Sequence, residues 1–285
     1  MNILSFDIEE WFHILDHDGT EKPKDWENFP RRLDQNVKTI LDILDSKDLK
    51  ASFFVLGWVG KEFPNIVKEI HKRGHEIGTH SNTHQLVYRQ TPEEFNQDLK
   101  ESINILTDIT GEKVIYYRAP GFSIKKEQIW AFEILKENGI EIDCSIFPAL
   151  RAHGGFNEFG YSEPVRIKLT NGELKAFPMN LHKILNSKFV FSGGGYFRVT
   201  PYWLLKYFSN QTDYLMTYFH PRDFDPDQPR LPGLGLIKEY KSYVGLKSSK
   251  IKLIKLLEDF KFTSLLEADK SIDWTRTNIV SLEEK

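Results

Sequence analysis

Short apolar runs alternate with stretches of helical spacing through the first half of the chain. Ile3 to Phe6 reads as a buried strand, and Ala51-Ser52-Phe53-Phe54-Val55-Leu56 as a second. Between them Leu33, Val37, Ile40, Leu41 and Leu44 recur with the period of an amphipathic helix. Pro64 to Arg73 predicts a short helix stopped by Gly74. Thr91-Pro92-Glu93-Glu94 has the form of a capping box with proline in the first turn, and Phe95, Leu99, Ile103 and Leu106 share one face of the helix it opens, which Gly111 follows. Val114 to Tyr117 predicts a strand, Ile129, Phe132 and Leu135 a helix closed by Gly139, and Ile140 to Asp143 another strand. Strands that alternate with helices in this way pair in parallel through crossover connections.

The second half is less regular. Val165 to Leu169 and Glu173 to Phe177 flank Asn171-Gly172, a hairpin signal. Ser192-Gly193-Gly194-Gly195-Tyr196-Phe197 needs unusual backbone freedom. Pro201 to Phe208 predicts a helix, and Tyr214 to Phe219 a strand ending at His220. A Pro/Asp-rich loop runs from Pro221 to Pro232, and Lys250 to Phe260 is a basic amphipathic helix whose Ile/Leu face would pack on the body of the protein.

Composition narrows the function classes. The 285 residues are 40% hydrophobic and 13% aromatic, ample for a packed core in one large domain. A net charge of -3 gives no basis for nucleic-acid binding. The single cysteine, Cys144, excludes a disulfide framework and reads as a small buried packing residue. No basic and apolar leader is visible at the start, and the longest uncharged apolar run falls well short of the roughly 18 residues of a membrane span. A cytoplasmic location, with membrane contact at most peripheral, is the expectation.

The candidate chemistry gathers where strands end, as it does in parallel α/β folds. Asp7, His80, Arg118 and Asp143 all fall at or just after strand ends and would share one mouth if the strands form one barrel. His80 and His84 in His80-Ser81-Asn82-Thr83-His84 can present two imidazoles to one cation, from a helical turn or a tight loop. Asp7, Glu9 and Glu10 offer carboxylates, and two histidines plus one carboxylate leave a coordination position open, the design of a catalytic metal site. Glu9 and His13 form a rival pair, and His75 reads as structural. Strand alternation would turn Asp7 and Glu9 to one side and Glu10 away, favouring Glu9 as the ligand. Arg118, between a strand and a Pro-Gly turn, would be a buried guanidinium gripping a carboxylate bidentately. His220 is either a core histidine or a catalytic one.

The order of these motifs resembles the polysaccharide deacetylases of the NodB-homology class, carbohydrate esterase family 4. Phe6-Asp7-Ile8-Glu9-Glu10 is similar to the first motif of that family, His80 to His84 to the second, Arg118-Ala119-Pro120-Gly121 to the third, Asp143-Cys144-Ser145-Ile146-Phe147-Pro148 to the fourth and Tyr218-Phe219-His220 to the fifth. Asp7 to Phe12, Gly193 to Arg198, His220 to Pro226 and Tyr243 to Lys247 further resemble a cytoplasmic subgroup tied to exopolysaccharide and lipopolysaccharide biosynthesis that carries a C-terminal extension. The departure is Asp7-Ile8-Glu9 in place of an adjacent Asp pair.

The resemblance implies an α/β fold, a distorted (β/α) barrel of seven or so parallel strands over residues 1–230. A hairpin and Gly-rich insertion would occupy about 160–200, a helical extension 231–267 and a polar tail 268–285. It implies a hydrolase that removes N-acetyl groups from an amino sugar held in a polymer, a lipid-linked precursor or a nucleotide-linked one. Glu9, His80 and His84 would hold a divalent cation, zinc first, with cobalt, nickel or manganese as alternatives. Asp7 would be the general base, oriented by Arg118. His220 would be the general acid, tuned by Asp143. Gly121 would help bind the oxyanion, with Phe122, Trp11 and Tyr196 at the substrate. Alternatives on the same scaffold are a sugar deformylase, a ureide hydrolase or a catalytically silent carbohydrate-binding protein.

Overall fold

The strands that build the site are those with no polar face. In the computed structural model, which describes residues 1–184 and 187–282, Ser5–Ile8 and Ser52–Val55 are buried at every position, the signature of parallel strands covered on both sides. The element order is β1 (Asn2–Ile3), β2 (Ser5–Ile8), α1 (Leu33–Ser46), β3 (Ser52–Val55), α2 (Gly57–Glu62), α3 (Pro64–Lys72), β4 (Glu76–Thr79), α4 (Pro92–Thr110), β5 (Tyr116–Tyr117), α5 (Trp130–Glu137) and β6 (Ile142–Asp143). Then come β7 (Val165–Leu169), β8 (Gly172–Ala176), β9 (His182–Ile184), β10 (Ser187–Phe189), α6 (Gly194–Val199), α7 (Tyr202–Asn210), β11 (Leu215–Met216), α8 (Leu236–Tyr243), α9 (Leu246–Asp259), α10 (Leu265–Ser271) and β12 (Ile279–Ser281).

The main sheet runs β12-β7-β8-β6-β5-β4-β3-β2. From β2 to β6 and on to β8 every neighbour is parallel, while β7 returns antiparallel to β8 and β12 adds parallel to β7. Beyond β2 the ladder continues onto the β11 segment. The Asp7 amide donates to Phe219 O at 2.7 Å and the Phe219 amide to Ser5 O at 3.2 Å, and β1 pairs with β11 in parallel. The ring then closes through side chains. Asn180 Oδ1 accepts the Met216 amide at 3.1 Å, and the Tyr214 hydroxyl donates to Pro178 O at 2.7 Å. This is the expected α/β fold, a mostly parallel sheet bent into a distorted barrel.

Local chemistry fixes the helices. Thr91 Oγ1 accepts the Glu94 amide at 3.2 Å while Glu94 Oε2 accepts the Thr91 amide at 2.8 Å, a reciprocal cap that starts α4. Gly111 ends it at φ 73°, where a side chain would be strained. Leu33, Val37, Ile40, Leu41 and Leu44 of α1 join Phe6, Ile8, Phe53 and Val55 in one core. The hairpin forms as expected, but the turn falls on Thr170 and Asn171, and Gly172 enters β8 at φ 115°.

The extension packs onto the barrel through Leu253, Leu256 and Leu257 of α9. Lys252 spends its charge on the end of α6, donating to Arg198 O at 2.7 Å and Thr200 O at 2.8 Å. The stretch expected as a polar tail contributes structure up to residue 282. Trp274 stacks edge-on against Phe177 with centroids 5.5 Å apart, and β12 covers the outer edge of β7 with Val280 buried. An open edge of that kind would otherwise invite intermolecular pairing. Residues 185–186 of the expected insertion and 283–285 of the expected tail lie outside the described residues.

Replacing Asn180 by alanine strands the buried Met216 amide. It should cost about 1–3 kcal/mol, read as a lower urea midpoint with an unchanged slope.

Candidate active site

Arg118 is the largest charged group the fold swallows whole, with no exposed surface. Its guanidinium lies over the Phe54 ring at 4.1 Å. Nη1 donates to Asp7 Oδ1 at 2.6 Å, Nη2 to Ser5 Oγ at 2.9 Å and Nε to Cys144 O at 3.4 Å. Arg118 therefore contacts Asp7 through one N–H; the second donor is taken by Ser5, so the grip is not the bidentate one expected. The same residue's carbonyl accepts a hydrogen bond from His80 Nδ1 at 2.7 Å, which leaves His80 Nε2 free to act as a ligand atom.

His80 follows β4 and begins a tight loop, not a helical turn. Ser81 and His84 sit in the left-handed region, at φ 70° and 56°, strain that other contacts must hold. The Asp98 carboxylate accepts the amides of Asn82 at 2.7 Å and Thr83 at 3.2 Å together with the Thr83 hydroxyl at 3.0 Å. Ser81 Oγ accepts the His84 amide at 3.0 Å. Asp98 was not among the expected site residues, since a carboxylate on α4 does not announce which loop it will meet.

One carboxylate and two imidazoles meet here. Glu9, His80 and His84 offer ligand atoms that lie within 4.8 Å of one another. Glu9 Oε2 approaches His84 Nε2 to 2.6 Å, yet it is buried without a hydrogen-bond partner of acceptable geometry among the described residues. Lone pairs converging in this way suit a cation between them better than a proton, so the residues present fit a metal. Glu10 lies outside this cluster and is engaged elsewhere. It accepts the backbone amides of Arg32 at 3.0 Å and Leu33 at 3.2 Å and so caps α1. His13 packs against Trp26 with centroids 4.1 Å apart and lies outside the cluster.

The same cavity shifts its titratable groups in opposite directions. Burial pushes His80 down to about 4. Burial would raise Glu9, but His84 and His220 hold its carboxyl well below the usual range. Burial would lower His220, yet Glu9, Asp223 and Asp7 push it up to about 9. His220 Nδ1 faces Asp223 Oδ2 at 3.1 Å, and Nε2 lies 3.7 Å from Glu9 Oε1 and 3.8 Å from Asp7 Oδ2.

The partner of His220 is thus Asp223, not Asp143 as expected. Three residues along the same turn, Asp223 reaches both the His220 ring and its amide, and Arg198 Nε holds its other oxygen at 2.9 Å. Asp143 turns Oδ2 to its own backbone, and Oδ1 is buried with no hydrogen-bond partner among the described residues. It accepts the Ser145 amide at 3.0 Å, and burial raises it to about 7.

These groups line a cavity of about 260 Å³. Asp7, Glu9, His80, His84, Gly121, Phe122 and His220 all face it. Arg118 and Asp143 lie beneath its floor with no exposed surface. Trp11 does not reach it. Its ring is core, 2% exposed, with Nε1 donating to Pro30 O at 2.9 Å, and apolar burial of an indole with a satisfied N–H outweighs a place at the surface. Tyr196 is half exposed and is not among the lining residues, although its neighbours Gly194 and Gly195 are. Arg151, Tyr218, Arg222, Asp223, Lys238 and Lys241 also line the cavity. Apart from Tyr218, which belongs to the strand expected before His220, they sit in irregular segments or in the extension, where spacing carries no signal.

Residues 23–142 match the family model described as polysaccharide deacetylase, and residues 144–270 match a domain of unknown function, DUF3473. The match to the polysaccharide deacetylases covers 120 of the 285 residues. His80, His84 and Arg118 of the deacetylase motifs fall in the first match, and His220 and Asp223 in the second. The chain is 36% identical over 95 residues to a peptidoglycan-N-acetylglucosamine deacetylase of Bacillus cereus, 33% of this chain and 34% of that protein. It is 40% identical over 82 residues to the putative polysaccharide deacetylase YheN of Bacillus subtilis, 28% of this chain and 29% of that protein. The aligned part spans about a third of these relatives. A putative polysaccharide deacetylase from Mycobacterium smegmatis shares the fold, with a TM-score of 0.69 at 15% identity over 99% of this chain and 93% of that one. No helix among the described residues is long and apolar enough to cross a membrane.

Asp143 binds its proton more tightly folded than unfolded, since about 7 lies above the ordinary value near 4. It therefore costs stability as pH rises from about 4 to about 7, and the cost is complete above that window. Asp143→Asn should remove this slope, so the melting temperature of the variant should gain on that of the wild type across the window. Parallel curves would show Asp143 ionised throughout.

Proposed function

We propose that this chain is a metal-dependent amide hydrolase that removes the N-acetyl group from an amino sugar of a polysaccharide or of its precursor. The observation that carries the reading is the convergence of Glu9, His80 and His84 on one point, beside Asp7 and His220, in a single cavity. The match to the polysaccharide deacetylases supports the same chemistry.

Glu9, His80 and His84 would hold the cation, and three protein ligands leave a position open for chemistry. When bound, a divalent ion such as zinc supplies Lewis acidity toward the acetyl carbonyl and makes water a nucleophile near neutral pH. The remaining steps belong to this chain's own side chains. Asp7, held by Arg118 at 2.6 Å, takes the proton of the attacking water at Oδ2, the oxygen that Arg118 leaves free. His220, charged through its contacts with Glu9, Asp223 and Asp7, delivers a proton from Nε2 to the departing amine. An amide needs that proton because its nitrogen is a poor leaving group. Gly121 lines the cavity at φ 61°, a backbone conformation that lets its amide face the developing oxyanion.

Asp7→Asn should lower acetate release from N-acetylated amino sugars by about 10²–10⁴-fold while the protein retains stoichiometric zinc by elemental analysis. His80→Ala should lose zinc and turnover together. Near-wild-type turnover by Asp7→Asn would remove Asp7 as base.

Asp223→Asn removes the charge that supports His220. The alkaline limb of the pH–rate profile should move to lower pH, because His220 then gives up its proton sooner, whereas Asp143→Asn should leave that limb in place. A common shift in both variants would argue that neither carboxylate acts on His220 directly.

A further inference from the structure

Each carboxylate that lines the cavity has a basic group beside it: Asp7 has Arg118, Glu9 has His84 and His220, and Asp223 has Arg198 and His220. Arg151, Arg222, Lys238 and Lys241 line the cavity as well. Among the described residues no carboxylate lies within ion-pair distance of any of these four. Arg222 spends its N–H groups on neutral oxygens, Gln228 Oε1 at 3.1 Å and Ser242 O at 3.3 Å. Lys238 Nζ donates to the carbonyls of Leu15 and Asp16, both at 2.5 Å.

Arg151 is the most telling of the four. Its guanidinium is seated against Phe147 at 4.6 Å, Phe122 at 4.9 Å and Tyr218 at 5.6 Å. That cage of rings fixes where the charge sits, yet Nη1 is buried with no hydrogen-bond partner among the described residues. A buried guanidinium N–H without an acceptor is costly, and the cost is recovered only when an acceptor arrives. Guanidinium forks and ammonium groups together are the donors that recognise phosphate and carboxylate.

The geometry points to a substrate that carries an oxyanion. Resting on the deacetylase reading, we assign the substrate class as an anionic N-acetyl amino sugar, bearing a phosphate, a diphosphate or a neighbouring carboxylate, in place of a neutral polymer. The acetamide would lie at Glu9, His80 and His84, and the oxyanion at Arg151, Arg222 and the α8 lysines. Lys238 and Lys241 both come from the region matched to the domain of unknown function, which would give that region a task in substrate choice.

The test compares acetate release by the zinc-loaded, full-length protein from four substrates. They are UDP-N-acetylglucosamine, N-acetylglucosamine 1-phosphate, an oligosaccharide alternating N-acetylglucosamine with glucuronate, and neutral chitooligosaccharides. At low salt kcat/KM for at least one anionic substrate should exceed that for the neutral one by about tenfold or more, with the advantage shrinking as sodium chloride is raised. Which anionic substrate leads identifies the source of the oxyanion. Arg151→Gln with Lys241→Gln should cut the advantage about tenfold, through KM and with little change in kcat. Lys241→Glu alone, a change at an exposed side chain, should act in the same direction. Equal or better use of the neutral oligosaccharide, or a preference unmoved in the variants, overturns the assignment.

Should no substrate release acetate, the deacetylase reading fails, and calorimetry with the same ligands still decides this one. Tighter binding of an anionic ligand that is lost in the double variant supports it. Equal binding of anionic and neutral ligands overturns it.

Discussion

A fully buried guanidinium holds this site together. Taking the charge of Arg118 out of water costs several kcal/mol unless its partners are complete, and the fold completes them from several strands: Asp7 and Ser5 on β2, the Phe54 face on β3 and the Cys144 carbonyl after β6. Its own carbonyl then fixes the His80 ring. One residue thereby fixes both the Asp7 carboxylate and the His80 ring, and it does so with no exposed surface of its own. The parallel strands must bend around this point for all those atoms to meet, which ties the curvature of the sheet to the chemistry at its mouth.

The barrel and the clustering of Glu9, His80 and His84 were legible because local signals and global fold agree. Period-2 and period-3.6 patterns marked the elements, Thr91 and Glu94 marked a helix start, and His80 and His84 stood at the end of a buried strand. Glu9 was separable from Glu10 by strand alternation alone, and the capping role of Glu10 gives the physical reason. What spacing could not deliver were contacts made by polar side chains across the fold. Asp98 braces the histidine loop from a helix 14 residues beyond His84 in the numbering, and a carboxylate on a helix says nothing about which loop it will meet. Trp11 looked like a sugar platform because aromatics near a site serve that role. A satisfied indole N–H and a core of neighbouring rings keep it inside instead.

Misassigning the partner of His220 has a different cause. Asp143 ends a strand, as an active-site residue should, and burial raises it to about 7. Its carboxylate is nonetheless turned to its own backbone two residues on. Asp223 lies in a short turn with no pattern to announce it. Its position is set by Arg198, which also donates to Ser242 O and Val244 O at 2.9 Å and to Lys241 O at 3.0 Å. Gly245 is required at that junction, since a Cβ there would fall 2.3 Å from Arg198 O. The extension is therefore a structural support of His220 and not an appendage, which accounts for its packing against the very turn that carries Asp223.

The two imidazoles that matter most, His80 and His220, are the same chemical group placed in opposed environments. His80 is brought down to about 4 by burial, so its ring is neutral across the physiological range. His220 is wedged between Glu9, Asp7 and Asp223 and brought up to about 9, so it keeps its proton over the same range. Pushing like groups apart in proton affinity is what the proposed pairing of acid and base in one cavity requires. The carboxylates achieve this by distance and pairing. Glu9 approaches His84 to 2.6 Å and His220 only to 3.7 Å, close enough to the second to charge it without capturing its proton. A shorter side chain at position 9 would have to come from nearer the strand to serve both, so glutamate two residues after Asp7 is matched to the span between the histidine loop and His220.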